Sequence, residues 1–225
     1  MLCCQLSRGG SHLGPSWRES QFSRGERGFA DDPYWYDLHV ASDQRYRAAL
    51  EQVVLAAPPL AAGTLVADLG AGTGALAIRF AAAYPHVRLH LIDRNAAKLH
   101  LARAKLGPDV VLHEQTVEPG RPGQLGQGRY VQVISGLTLH VIADWEANPT
   151  EAAYAERNRT VMAQVLESLR PGGAFIYADF LRHGLGVREH LGLLEAAGFA
   201  EADCAWRSGD LAVMGGQRRV MGDES

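Results

Sequence analysis

Gly70, Gly72 and Gly74, with Asp68 just before them, carry the clearest chemistry in this chain. They stand in Val66-Ala67-Asp68-Leu69-Gly70-Ala71-Gly72-Thr73-Gly74, after a strand-like apolar run and before an Ala-rich helical one. Glycines at this spacing let the backbone turn tightly and approach a ligand closely. The helix that follows offers unpaired N–H groups and a positive dipole end to an anionic group. Gly70-x-Gly72-x-x-Ala75 also fits a dinucleotide-binding turn. Asp68 separates the two ligand types. A carboxylate at a strand tip repels a pyrophosphate in a partly dry crevice. It attracts an ammonium group, from which it accepts charge-assisted hydrogen bonds. Asp93 ends the next strand, nineteen residues past Gly74, where an acid accepts hydrogen bonds from both hydroxyls of a ribose. Taken singly, Asp68 also reads as a helix cap and Asp93 as a turn residue. Their joint spacing points instead to a nucleoside with an ammonium group.

Those residues need a scaffold. With 225 residues, 47% hydrophobic and 21% charged, the chain has the composition of a soluble globule, not of a disordered or fibrous one. At about 150 residues per domain, the length suits a single domain. Residues 1–30 are rich in Gly, Ser and Arg without apolar period and read as a flexible tail, so the domain is expected over 31–225. No run approaches 18 apolar residues, and no signal-peptide core appears, which predicts a cytoplasmic protein without membrane partners. Cys3, Cys4 and Cys204 form no disulfide framework, and the scattered histidines lack ligand spacing, so no metal is expected. A net charge of −3 gives no general attraction to nucleic acid.

From about residue 40 the chain alternates helices and short strands. Helices are expected over 40–55, 75–84, 96–106, 150–169 and 187–197. Strands are expected over 64–69, 87–92, 110–112, 131–135, 174–180, 202–206 and 211–214. This alternation predicts right-handed βαβ units and a parallel sheet, with an antiparallel hairpin closing one edge.

S-adenosylmethionine (SAM) is a nucleoside of the required kind. The loop around Gly70, the Leu91-Ile92-Asp93 strand end, VISGLTLHVI at 133–142 and LRPGGAFIYADF at 169–180 resemble, in order, the motifs of class I SAM-dependent methyltransferases. The resemblance covers most of the chain. It implies a Rossmann-like, doubly wound α/β fold: a seven-stranded sheet of order 3-2-1-4-5-7-6, last strand antiparallel, with helices on both faces. It also implies SAM as cofactor. Asp68, Gly70, Ala71, Gly72 and Gly74 match the loop around its methionine part, Asp93 the ribose acid, and Arg94 a neighbour of the adenine. Where many relatives carry an acid for the adenine amine, this chain has Gln115-Thr116-Val117, so Thr116 or the Val117 backbone N–H substitutes. Ser135, Gly136 and Leu137 match the strand end near the sulfonium.

Methyl transfer requires alignment of a nucleophile with the methyl, and a base where that nucleophile carries a proton. His140, after the fourth strand, is the candidate general base; its rival role is packing beside Leu139 and Val141. Asp179 either binds a substrate amine or hydroxyl or caps the following loop. Tyr34, Trp35 and Tyr36 read as a lid over cofactor and substrate, or as a staple against the sheet. Ser135-Gly136-Leu137-Thr138 replaces the Asn-Pro-Pro-Tyr or Asp-Pro-Pro-Tyr associated with methylation of flat amide or base nitrogens. With the negative net charge, this predicts a small-molecule acceptor of the methyl on O, N or C, and no nucleic acid. The competing readings are SAM binding without transfer and an NAD-dependent oxidoreductase.

Overall fold

The computed structural model describes residues 37–38, 42–144 and 149–220. Its strands are β1 (Leu65–Leu69), β2 (Arg88–Asp93), β3 (Val111–Glu114), β4 (Tyr130–Gly136), β5 (Leu169–Phe180), β6 (Ala200–Ser208) and β7 (Leu211–Gln217). They form one sheet in the order β3-β2-β1-β4-β5-β7-β6. The pairs among β1 to β5 are parallel, and only β7 runs antiparallel to its neighbours. This is the doubly wound order that the resemblance implied.

The helices are α1 (Gln44–Leu55), α2 (Ala75–Ala83), α3 (Ala96–Leu106), α4 (Leu139–Ala143), α5 (Glu151–Ser168) and α6 (Val187–Ala196). Three of them start on side-chain caps: Asp43 accepts from the Arg45 and Tyr46 amides, Asn95 from Lys98, and Thr150 from Ala153. Tyr46, Ala49, Leu50 and Val53 of α1 cover one face of the sheet with Leu76 and Phe80 of α2 and Leu99 of α3. Val161, Met162 and Val165 of α5 and Leu194 of α6 cover the other. Along β1, Val66 and Ala67 join opposite clusters, so the strand is apolar on both faces, as a central parallel strand must be.

Two elements differ from expectation. The helix α4 has only five residues, too few to show a period, and it follows a left-handed Leu137 (φ 59°) rather than a cap. The strand β5 begins at Leu169, not at 174. Its Pro171-Gly172-Gly173, which reads as a turn, is drawn into the sheet by the exchange of Gly172 N–H to Arg218 O and Arg218 N–H to Gly173 O, both 2.8 Å. The expected tail and the Tyr34-Trp35-Tyr36 triplet lie outside the described residues. No helix of the described residues is long and apolar enough to cross a membrane.

Candidate active site

The carboxyl ends of β1, β2 and β4 converge on the glycine loop. Gly70 and Ala71 donate their amides to the Ile92 carbonyl at 2.8 and 3.1 Å. Asp93 accepts from Gly72 N–H and from Asn95 N–H, each at 2.9 Å, with different carboxylate oxygens. The acid expected at the ribose thus also fixes the loop, and a carboxylate retains lone pairs for further donors. Gly70, Gly72 and Gly74 all have positive φ (70°, 51° and 84°), a region side chains rarely adopt.

Asp68 is 1% exposed, and its Oδ2 has no hydrogen-bond partner. Burial and the nearby Asp93 push its pKa up to about 8, against a smaller opposing pull from the Ala77 backbone. A buried acid oxygen without a donor is costly. It lines a crevice with Tyr46, Leu50, Gly70, Ala71, Gly136 and Leu137. An ammonium group placed there supplies the missing donor and restores the ionised form. The residues therefore fit the methionine end of SAM. Tyr46 and Leu50 were not legible as site residues, because α1 reads simply as a core helix. A Cβ on Gly136 would stand 2.6 Å from Leu50 Cδ2, so a larger residue there displaces the Leu50 side chain.

Ser135 does not face the crevice; it is fully buried, and its hydroxyl donates to the Leu69 carbonyl at 2.9 Å, tying β4 to β1. Alternation along β4 turns Ser135 to the opposite face from Asp68's neighbour Ile134. The Val117 side chain packs into the core against α5's face of the sheet, and the Thr116 carbonyl accepts from Gln124 Nε2 at 2.9 Å. Arg94 is exposed beside Asp93.

At the ends of β4 and β5, His140 and Asp179 form a buried pair, 5% and 1% exposed. Asp179 accepts from His140 N–H at 2.8 Å and from Phe180 N–H at 2.8 Å. Its Oδ1 also meets His140 Nδ1 at 2.5 Å. Burial alone would raise the Asp179 pKa; the His140 charge and these hydrogen bonds outweigh it and leave the carboxyl below its usual range. An ionised Asp179 accepts from Nδ1–H, which leaves Nε2 as the ring nitrogen facing away from it. Nε2 bonds to no described residue. The ring packs edge-on against Phe180, whose own ring meets Tyr46 of the crevice at 5.8 Å. Asp179, expected either to bind a substrate amine or hydroxyl or to cap the following loop, is bonded to His140 and to the Phe180 amide. Its oxygens are engaged by His140 and Phe180, and it orients the histidine.

Comparison with known proteins agrees with this geometry. A family model described as methyltransferase small domain matches residues 48–118, from α1 through β3 to the loop beyond it. The release factor glutamine methyltransferase of Burkholderia pseudomallei (strain K96243) is 29% identical, over 63% of this chain and 55% of its own length. This chain thus spans about half the length of that curated relative. Among solved structures, an O-methyltransferase family protein from Burkholderia thailandensis superposes with a TM-score of 0.62 at 19% identity, covering 86% of this chain and 62% of that one. The SAM-dependent methyltransferase SibL superposes with a TM-score of 0.61 at 19% identity, covering 85% and 61%. The expectation of a small-molecule acceptor is corrected by the curated relative, whose name makes its acceptor a glutamine of a release factor, a protein.

Proposed function

We propose that this chain is a SAM-dependent methyltransferase that transfers the SAM methyl to a proton-bearing oxygen or nitrogen, a reading supported by its methyltransferase-like segment, relative and fold. The observation that carries this reading is the unpartnered Asp68 oxygen in the glycine-loop crevice, which a bound ammonium group would both satisfy and ionise. Bound SAM supplies an electrophilic methyl on a sulfonium. Asp68 holds the amino group, the loop and the start of α2 hold the carboxylate, and Asp93 holds the ribose. His140 Nε2 takes the proton released from the nucleophile, while Asp179 fixes the ring and stabilises the imidazolium that forms.

The relative's name favours an acceptor carried on a polypeptide. Ser135-Gly136-Leu137-Thr138 in place of Asn-Pro-Pro-Tyr favours a side chain other than a planar amide. A hydroxyl or amine, which has to lose a proton, is the group a histidine base serves. The test has two stages. Calorimetry should show binding of S-adenosylhomocysteine and none of NAD. Methyl-labelled SAM, incubated with full-length release factor and with peptides bearing Ser, Tyr, Lys or Gln, should then label a polypeptide with matching release of S-adenosylhomocysteine. Binding without transfer to any acceptor would make the protein a SAM binder only.

A further inference from the structure

Asp37 lies ahead of α1, thirty-six residues from Thr73 in sequence, and is bonded to it. The Thr73 hydroxyl donates to Asp37 Oδ1, and Lys105 Nζ donates to Asp37 Oδ2. Lys105 Nζ also donates to the Thr73 carbonyl at 3.1 Å. Thr73 is fully buried between Gly72 and Gly74. The same helix that carries Lys105 presses on Gly74, where an added Cβ would stand 3.0 Å from the Ala102 Cβ and 3.3 Å from its Cα. Both polar ends of Thr73 are thus held from outside the loop, its carbonyl by Lys105 of α3 and its hydroxyl by Asp37, which Lys105 holds in turn.

We propose that Asp37, Lys105 and Thr73 form a clasp that holds the glycine loop in its ligand-ready shape, with Asp37 a positioning residue for cofactor binding. This rests on the SAM reading given above. The loop contains three glycines with positive φ, the residue type with most freedom to lose on ordering. Asp93 fastens it at Gly72, and Thr138 Oγ1 fastens it at the Gly70 carbonyl, 3.2 Å away. Without the clasp the segment at Thr73 has its backbone held only by its own turn, and a ligand must order it on binding. The Lys105 and Asp37 side chains are 30% and 29% exposed, so their pairing adds little to global stability. A role in pre-ordering the loop and a role in holding the fold therefore predict different outcomes.

The experiment uses the full chain and titrates S-adenosylhomocysteine by calorimetry. Asp37→Ala should weaken binding by roughly 5–30-fold, the effect of one to two residues' worth of ordering. Its melting temperature without ligand should stay within about 2 °C of wild type. The KM for SAM should rise while kcat at saturating SAM holds. Asp37→Glu, which keeps the charge, should recover part of the affinity, and Thr73→Ser should bind nearly as wild type. Asp37→Ala binding within twofold of wild type would overturn the clasp while leaving the SAM reading intact. A loss of affinity matched by a lower apo melting temperature would make Asp37 merely structural. A wild-type chain that gives no heat with the ligand would overturn the SAM reading and this inference with it.

Discussion

Replacing Asp179 by asparagine tests whether His140 is a base held in one tautomer. The change swaps one oxygen for an NH2 group and removes the charge, with almost no change of volume. Asp179 Oδ1 serves both His140 Nδ1 and Phe180 N–H, while Oδ2 serves His140 N–H. An asparagine has one carbonyl for these two positions. With its oxygen at the Oδ1 place, the NH2 faces the His140 amide, and a buried donor loses its acceptor. With its oxygen at the Oδ2 place, the NH2 faces Nδ1 and the Phe180 amide, and the ring is driven to the tautomer whose Nε2 carries the proton. Neither orientation leaves a competent base without cost. The analogous change in the Ser-His-Asp proteases lowers kcat by about 10⁴. Here the loss should be roughly 10²–10⁴, the contribution of general-base catalysis. That corresponds to about 2.7–5.5 kcal/mol of barrier.

The structural penalty should be smaller. One unsatisfied buried donor costs about 1–3 kcal/mol. For a chain of this length each kcal/mol lowers the melting temperature by roughly 2–4 °C. Turnover is read as S-adenosylhomocysteine released at saturating SAM, and cofactor affinity by calorimetry on the same preparation. Affinity should change less than twofold, because Asp179 does not line the crevice. Turnover within threefold of wild type would refute the base assignment. A fall in turnover matched by an equal fall in affinity would place the pair in cofactor binding instead.

Two further outcomes follow from buried charges, with signs that oppose each other. Burial and Asp93 push Asp68 up to about 8, so between about pH 4 and 8 the folded state holds a proton that the unfolded state has lost, and stability falls as pH rises. Asp68→Asn should therefore raise the ligand-free melting temperature more at pH 8.5 than at pH 5, measured by differential scanning fluorimetry, while weakening S-adenosylhomocysteine binding; an equal change at both pH values would contradict this. Burial, then Arg129, His113 and Arg88, push His90 down to about 4, so its folded ring stays neutral while the unfolded one is charged below about 6.5, and stability is lost as pH falls through that window. His90→Gln should flatten the fall in urea midpoint between about pH 6.5 and 4.5, and an unchanged slope would show that other groups carry it.

Legibility differed between elements for physical reasons. The bounds expected for α3 match the structure, because Gly107 (φ 96°), followed by Pro108, ends it with a local signal; the structure adds Asn95 as its cap. The strand order came from a resemblance, since parallel pairing depends on contacts far apart in sequence. The glycine loop and its acids were legible because their chemistry is written in consecutive residues and in the strand that follows. The partnership of His140 with Asp179 spans 39 residues and two strand ends, and no periodicity encodes it. Each was visible as a candidate; that one occupies the other was not. The partner of the Ser135 hydroxyl was not legible for a simpler reason. Family position put Ser135 near the cofactor, but the two-residue alternation of β4 turns its side chain to the Leu69 carbonyl. Asp37 gave no signal, because its partners are fixed only when α3 folds against the loop.

The two halves of the site share one side chain. Thr138 Oγ1 lies 3.2 Å from the Gly70 carbonyl and 3.2 Å from the Gly136 carbonyl, at the step between β4 and α4. Two residues later His140 is fastened to Asp179 through both its backbone and its ring. The route from cofactor loop to base therefore runs Gly70, Thr138, His140, with each joint held by a hydrogen bond or a turn of the chain. A displacement reaction is sensitive to such spacing, since a misplacement of about 1 Å can cost about a hundredfold in rate. This gives Gly70 a second reason to be glycine. Besides its positive φ, a Cβ there would stand 2.1 Å from Thr138 Cγ2 and 2.3 Å from Oγ1. Any larger residue has to push Thr138 away, and with it the start of the helix that carries the base. The glycine commonly credited to close approach of a ligand is, at this position, equally a condition for Thr138, and with it the start of the helix that carries His140, to stand where they do.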